Sequence, residues 1–265
     1  MKKFVCAAAV AAVGLMSLIS FGGCKAGEAN VEYALSENGE YYIVSGVSGD
    51  RLGLTSYEVP ATYSESEGGA ALPVKEIAEC AFYECYYLTE ITIPDTIQKI
   101  GALAFAKCGF SQFIIPEGVT EIGGGAFGMC NSLTEITVPA SVNKLGNMAF
   151  YCCPSLETAY IKGSITVLEE QVFFNTVVTQ GGNVFSETAL KEVYLPASLE
   201  KIHVTALSGN AITDIYFEGS ETQWDNVYFF EMVKKQDSED EYEEKRTEKS
   251  SAINKNVEIH FDVEF

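Results

Sequence analysis

Histidine is nearly missing from this chain: only His203 and His260 occur in 265 residues. A multi-histidine metal centre is thereby excluded, and no His-x-x-x-His pair exists to hold a catalytic ion. Basic residues are scarce too. Seventeen lysines and arginines face 37 acids, for a formal net charge of −20. A surface of that sign repels a phosphate backbone and excludes nucleic acid as a partner. No Gly-rich phosphate loop and no Gly-x-Ser-x-Gly elbow is present. His203 stands in a turn slot, and His260 alternates with Val257, Ile259 and Phe261, so each has an ordinary structural place. The chain is read as a non-enzyme, with no catalytic residues and no cofactor.

What is present is repetition. EIAECAFYECYYLTEITIP (76–94) returns as KIGALAFAKCGFSQFIIP (99–116), EIGGGAFGMCNSLTEITVP (121–139) and KLGNMAFYCCPSLETAYIK (144–162). Units end at Pro94, Pro116, Pro139, Lys162, Pro196 and Glu218, with lengths of 23, 22, 23, 23, 34 and 22 residues. A period in the twenties marks a solenoid, in which no coil can bury its apolar side alone. In LTEITIP (88–94), Leu88, Ile91 and Ile93 face inward while Glu90 and Thr92 face outward, and proline ends the strand. Strands one period apart must lie parallel and adjacent, so one continuous parallel sheet is expected, with short helical or irregular turns opposite. The glycines at 123–125 recur with the turn slot and form no phosphate cradle.

The phrase Ala-Phe-x-x-Cys-x-x-Leu-x-x-Ile-x-Ile-Pro at this period resembles the BspA-type leucine-rich repeat of bacterial surface proteins. The resemblance covers about 55–220 closely. It implies a leucine-rich repeat solenoid at 54–218, β-rich within the α/β horseshoe class. VEYALSENGEYYIVSG (31–46), with Asn38-Gly39 as its turn, is similar to the family's N-terminal hairpin, which sets a cap at 31–53. DIYFEGSETQW (214–224) and VEIHF (257–261) look like its C-terminal helix and strand cap, which spans 219–265. The resemblance also implies adhesion to host or neighbouring-cell proteins.

The cysteines do not read as a disulfide framework. Cys85, Cys108, Cys130 and Cys153 hold one slot in four successive coils. Stacked about 4.8 Å apart, they span about 14 Å, too far for one tetrahedral zinc. They are read as buried, unpaired turn fillers, with Asn210 in the same slot of the sixth coil. Cys80 and Cys152 lie off this ladder, and sequence does not pair them.

The repeat breaks twice. The fifth coil carries extra residues within 174–187, where Val172-Phe173 and Val184-Phe185 both mimic the Ala-Phe pair; a binding loop and neutral drift both account for it. The segment 231–249 is charged and apolar-poor, lacks the ligand spacing of a calcium loop, and reads as a solvated helix or a loop.

The N-terminus carries an export signal: Lys2 and Lys3, then 18 uncharged, largely apolar residues, then small residues. Its ending, SFGGC, resembles a lipobox, which implies a signal over 1–23, a lipid anchor on Cys24 and a linker over 24–30. Phe21 and Lys25 depart from the pattern, leaving ordinary cleavage or an uncleaved anchor open. Without the signal, 15 basic and 37 acidic residues remain, a net charge of −22.

Two outward columns cross the sheet. One runs Ser56, Glu90, Gln112, Glu135, Thr158, Glu192, Asp214; the other runs Glu58, Thr92, Ile114, Thr137, Tyr160, Tyr194, Tyr216. Tyr160, Tyr194 and Tyr216, flanked by Glu192 and Asp214, are the candidate binding residues, against the alternative that tyrosine simply favours exposed strands. Two roles are expected for such a chain. One is a surface-anchored monomer binding host-matrix protein or glycan. The other is an accessory subunit binding a partner in its own envelope.

Overall fold

The computed structural model describes residues 29–175, 178–180, 183–185, 189–234, 242–248, 253 and 256–265. The signal and Cys24 lie outside them.

The front of the solenoid is a six-stranded parallel sheet. Its order is Gln112–Ile114, Glu135–Val138, Thr158–Ile161, Glu192–Leu195, Asp214–Phe217 and Glu258–His260. Ser56–Glu58 and Glu90–Thr92 form a separate parallel pair ahead of it, so the front is two sheets rather than one. The break falls at the coil where Phe110 and Phe113 replace the Leu and Ile of its neighbours; both rings pack on Phe105 and Phe127.

The back is more regular than irregular turns would be. Two-residue strands, Lys99–Ile100, Glu121–Ile122 and Lys144–Leu145, stack in parallel onto Leu72–Ile77. The N-terminal hairpin, Asn30–Leu35 with Tyr42–Ser48, extends this ladder by pairing Tyr42–Val44 with Val74–Ile77. Gly39 turns the hairpin at a φ of +71. The back ladder stops after Leu145 and resumes at Val167–Leu168, followed by Lys201–His203 and Tyr228–Lys234. The coil where it resumes carries Glu169 in place of the glycine held by Gly101, Gly123 and Gly146.

The segment read as a solvated helix or loop is strand over most of its described residues, 231–234 and 242–248; residues 235–241 and 249 lie outside the described set. Tyr228–Lys234 pairs antiparallel with Tyr242–Thr247, closing the end of the back wall. The charges of Tyr242–Thr247 face solvent, while Phe229 and Phe230 on the first strand are buried. Within 174–187, Val178–Gln180 and Asn183–Phe185 form a short antiparallel pair, and residues 176, 177, 181, 182, 186 and 187 lie outside the described set.

The coils turn from back to front through left-handed residues flanking the Ala-Phe pair: four coils hold two, the coil of Gln171 holds only the first and the coil of Gly209 only the second. Cys80, Leu103, Gly125, Met148 and Gln171 fill the first position; Glu84, Lys107, Met129, Cys152 and Gly209 fill the second, all with φ between 53° and 76°. Eight of these ten are not glycine, at a cost of about 1–2 kcal/mol each in backbone sterics. Hydrogen bonds between coils offset it. The amides of Leu103, Phe105 and Lys107 donate to the carbonyls of Gly124, Ala126 and Gly128 in the next coil, and the pattern repeats along the axis. The turns thus form a third hydrogen-bonded wall.

Phenylalanines fill the centre. Phe82, Phe105, Phe127, Phe150 and Phe173 are fully buried and stack in file, with ring centroids 5.3, 5.5, 5.5 and 5.3 Å apart and planes within 18°. The cysteine ladder lies beside them. Cys108, Cys130 and Cys153 donate Sγ–H to the carbonyls of Phe82, Phe105 and Phe127 at 3.3, 3.2 and 3.2 Å. Asn210 makes the same bond to Phe173 at 2.6 Å. Cys85, Cys108, Cys130 and Cys153 are free thiols. Burial raises the pKa of each, to about 11 for Cys85 and about 12 for Cys153. They are structural donors with little thiolate character. Cys80, off the ladder, is disulfide-bonded.

Trp224, buried on the capped helix Glu221–Asn226, packs on Phe217 at 5.2 Å and covers the C-terminal end of the core.

Candidate functional site

Parallel register aligns the outward columns. Tyr160, Tyr194 and Tyr216 are direct partners across three strands, as are Thr158, Glu192 and Asp214. The register carries one strand further, placing His260 beside Tyr216 and Glu258 beside Asp214. All five residues expected from sequence therefore meet on one face. His260 was expected to point outward; its place in the stripe was readable by aligning Asp214-Ile215-Tyr216-Phe217 with Glu258-Ile259-His260-Phe261.

The rings stack along the column. Tyr160–Tyr194 centroids are 4.4 Å apart, Tyr194–Tyr216 4.3 Å and Tyr216–His260 4.5 Å, with interplanar angles of 27°, 9° and 14°. Neighbours therefore occupy the ring faces, and the stripe offers solvent its ring edges and hydroxyls. Burial, followed by the Glu192 charge, pushes the Tyr194 phenol up to about 12, so its hydroxyl stays protonated. On the first strand of the same sheet Ile114 is 86% exposed, a single surface apolar residue of the ordinary kind.

Sequence reasoning missed one occupant. Phe265 lies over the stripe, edge-on to Tyr194 at 5.2 Å and tilted against Tyr160 at 6.3 Å. No local pattern announces such a tertiary contact. Its consequence is plain: the tyrosines are half-buried, and the edges of two of them already hold an aromatic ring.

Beside the stripe, His260 Nε2 lies 2.8 Å from Asp214 Oδ1, and Thr213 donates its hydroxyl to Asp214 Oδ2 at 2.7 Å. These bonds, the histidine's first, hold the Asp214 carboxyl below its ordinary pKa. The second histidine is elsewhere: His203 is buried on the back wall, bonded to Thr205 at 2.9 Å and edge-on to Phe230.

The back wall bears a shallow groove of about 540 Å³ across Glu76, Lys99, Glu121 and Lys144. Its charges alternate strand by strand, and Lys144 bonds Glu121 at 2.6 Å. Such a surface is largely neutralised by itself. The front face, with its tyrosine stripe and uneven charge, is the more discriminating one.

The parallel ladders, the short strands and the buried phenylalanine file define a leucine-rich repeat solenoid. The chain belongs to the BspA type leucine rich repeat family, whose model matches six copies over residues 71–179 and 175–235. Among solved structures it is similar to a leucine-rich repeat protein of T. pallidum, at 22% identity and a TM-score of 0.51, over 69% of this chain and 87% of that one. It is also similar to the pneumococcal vaccine antigen PcpA, at 20% identity and a TM-score of 0.52, over 74% of this chain and 45% of that one. Both likenesses speak to the fold alone. A search of curated proteins returned no match.

Proposed function

We propose that this protein is a cell-surface binding module that takes a protein partner on the front sheet, over Tyr160, Tyr194 and Tyr216. The carrying observation is the stacked, in-register stripe on a rigid sheet. Tyrosine joins a large apolar body to a polar tip, and here its position is set before any partner arrives. The mode of stacking also selects the partner class. A sugar packs its C–H face on an open ring face, and both faces of Tyr194 and Tyr216 are filled by neighbouring rings. Ring edges and hydroxyls suit the side chains and backbone carbonyls of a protein, and Glu192 and Asp214 favour Lys or Arg at its rim. The chain's place in a family of binding modules supports a non-enzymatic role. A partner in host matrix makes it an adhesin; one in its own envelope makes it an accessory subunit.

A pull-down with the mature domain against both kinds of extract identifies the partner, and two variants test the face. Tyr194→Ser should weaken binding by about 1–2 kcal/mol, the usual size for an interface anchor. Thr92→Ser, on the same column at its far end, should leave affinity unchanged. Equal affinities would reduce the stripe to strand propensity. Phe265→Ala separates the tail from the stripe: if a partner must displace Phe265, this variant binds more tightly.

Display at the surface rests on Cys24 as a lipid-bearing residue. Cys24→Ala should abolish labelling by a fatty-acid analogue and release the protein from the membrane fraction. Unchanged labelling, or Cys24 found in a disulfide, would overturn the anchor.

A further inference from the structure

We propose that Asp214, Glu258 and His260 form a binding site for a divalent transition metal of the zinc type. One imidazole nitrogen and two carboxylate oxygens project from adjacent strands. Parallel register sets Asp214 opposite Glu258, and His260 follows two positions later on the same face. Their candidate ligand atoms all lie within 4.8 Å of one another. Zinc bound at about 2.0–2.1 Å in a tetrahedron needs its ligand atoms about 3.3 Å apart, which side-chain rotation supplies here without moving the strands. Glu258 is exposed and free to swing inward, whereas the His260 ring is held against Tyr216.

The donor set also selects the ion. Two carboxylates and one imidazole leave a fourth position for water, as a tetrahedral metal requires. Calcium prefers six to eight oxygens, and imidazole is a ligand for zinc, copper and nickel rather than magnesium. Charge supports occupancy by a cation. Glu192 stands in register with Asp214, so three carboxylates line one row across adjacent strands, with His260 bonded to Asp214. Metal binding replaces the His260–Asp214 hydrogen bond with two bonds to one ion. It requires the unprotonated Nε2, so protons compete for the site.

Isothermal titration of the full chain with zinc chloride, in a non-coordinating buffer after chelator treatment, tests this directly. One saturable site per chain is expected. His260→Ala and Glu258→Gln should each weaken it tenfold or more, and Glu135→Gln, on the same column, should not. Glu258→Gln is the decisive variant, because Glu258 is exposed and takes no part in the His260–Asp214 bond, so its loss leaves the fold intact. Absence of saturable binding overturns the site. So does zinc binding that ignores both His260→Ala and Glu258→Gln, which would place the ion elsewhere, for instance on thiols. Asp214 is shared with the proposed protein-binding face, whereas Tyr160 belongs to that face alone, so Tyr160→Ser should leave zinc affinity unchanged.

Discussion

Phe127→Ala should destabilise the solenoid by about 3–5 kcal/mol, the usual cost of truncating a buried phenylalanine. Phe127 is fully buried midway along the file, between Phe105 and Phe150 at 5.5 Å on each side, and it also meets Phe110 and Phe113. Neither flanking coil can collapse into the gap, because each is held in place by three walls of inter-coil hydrogen bonds. Urea unfolding measures the loss, and peptide-resolved hydrogen exchange locates it. In a molecule of nearest-neighbour interfaces the damage should centre on the coils joining Phe105, Phe127 and Phe150 and leave the N-terminal hairpin's protection nearly unchanged. Loss spread evenly over all coils would mean that the solenoid unfolds as one unit. Phe82→Ala, with fewer ring neighbours, should cost less.

Gly123→Ala should cost about 1–3 kcal/mol although it adds only a methyl group, because overpacking against backbone is not relieved by a rotamer change. A Cβ at Gly123 would lie 2.5 Å from the Ala102 amide nitrogen and 2.7 Å from the Gly101 carbonyl carbon of the preceding coil. Gly146 meets its predecessor in the same way, with the Gly124 amide nitrogen at 2.5 Å. These glycines permit close approach; their backbone φ is not in the left-handed region. Thermal unfolding of Gly123→Ala against Gly46→Ala makes the comparison, since a Cβ at Gly46 meets nothing within 4 Å. Equal melting temperatures would show that the back ladder yields at no cost.

Much of this architecture was legible because the repeat writes each structural need several times. The inward Ile136 and the outward Glu135 and Thr137 alternate plainly, and their counterparts one period on fix the register. The back strands escaped notice because two residues, such as Lys99–Ile100, are too few to show alternation. The left-handed turns escaped for another reason: Cys80, Leu103, Met148 and Gln171 share no side-chain property, so the constraint lives in inter-coil hydrogen bonds rather than in residue type. At the candidate site the tyrosine column was readable and the ring stacking followed from it. The Phe265 contact was not, because it depends on where the chain goes after its last strand.

The third wall has a direction. From the coil of Phe82 to that of Phe173 the turn amides donate towards the C-terminal neighbour, whose carbonyls receive them, so these coils are joined head to tail like identical plugs and sockets. Such a joint does not depend on which coil supplies each half. A gene could therefore lose or duplicate the segment encoding one 23-residue coil and still present matching halves at the seam. Reach would then be set by coil number, while the hairpin at one end and Trp224 at the other stay as they are.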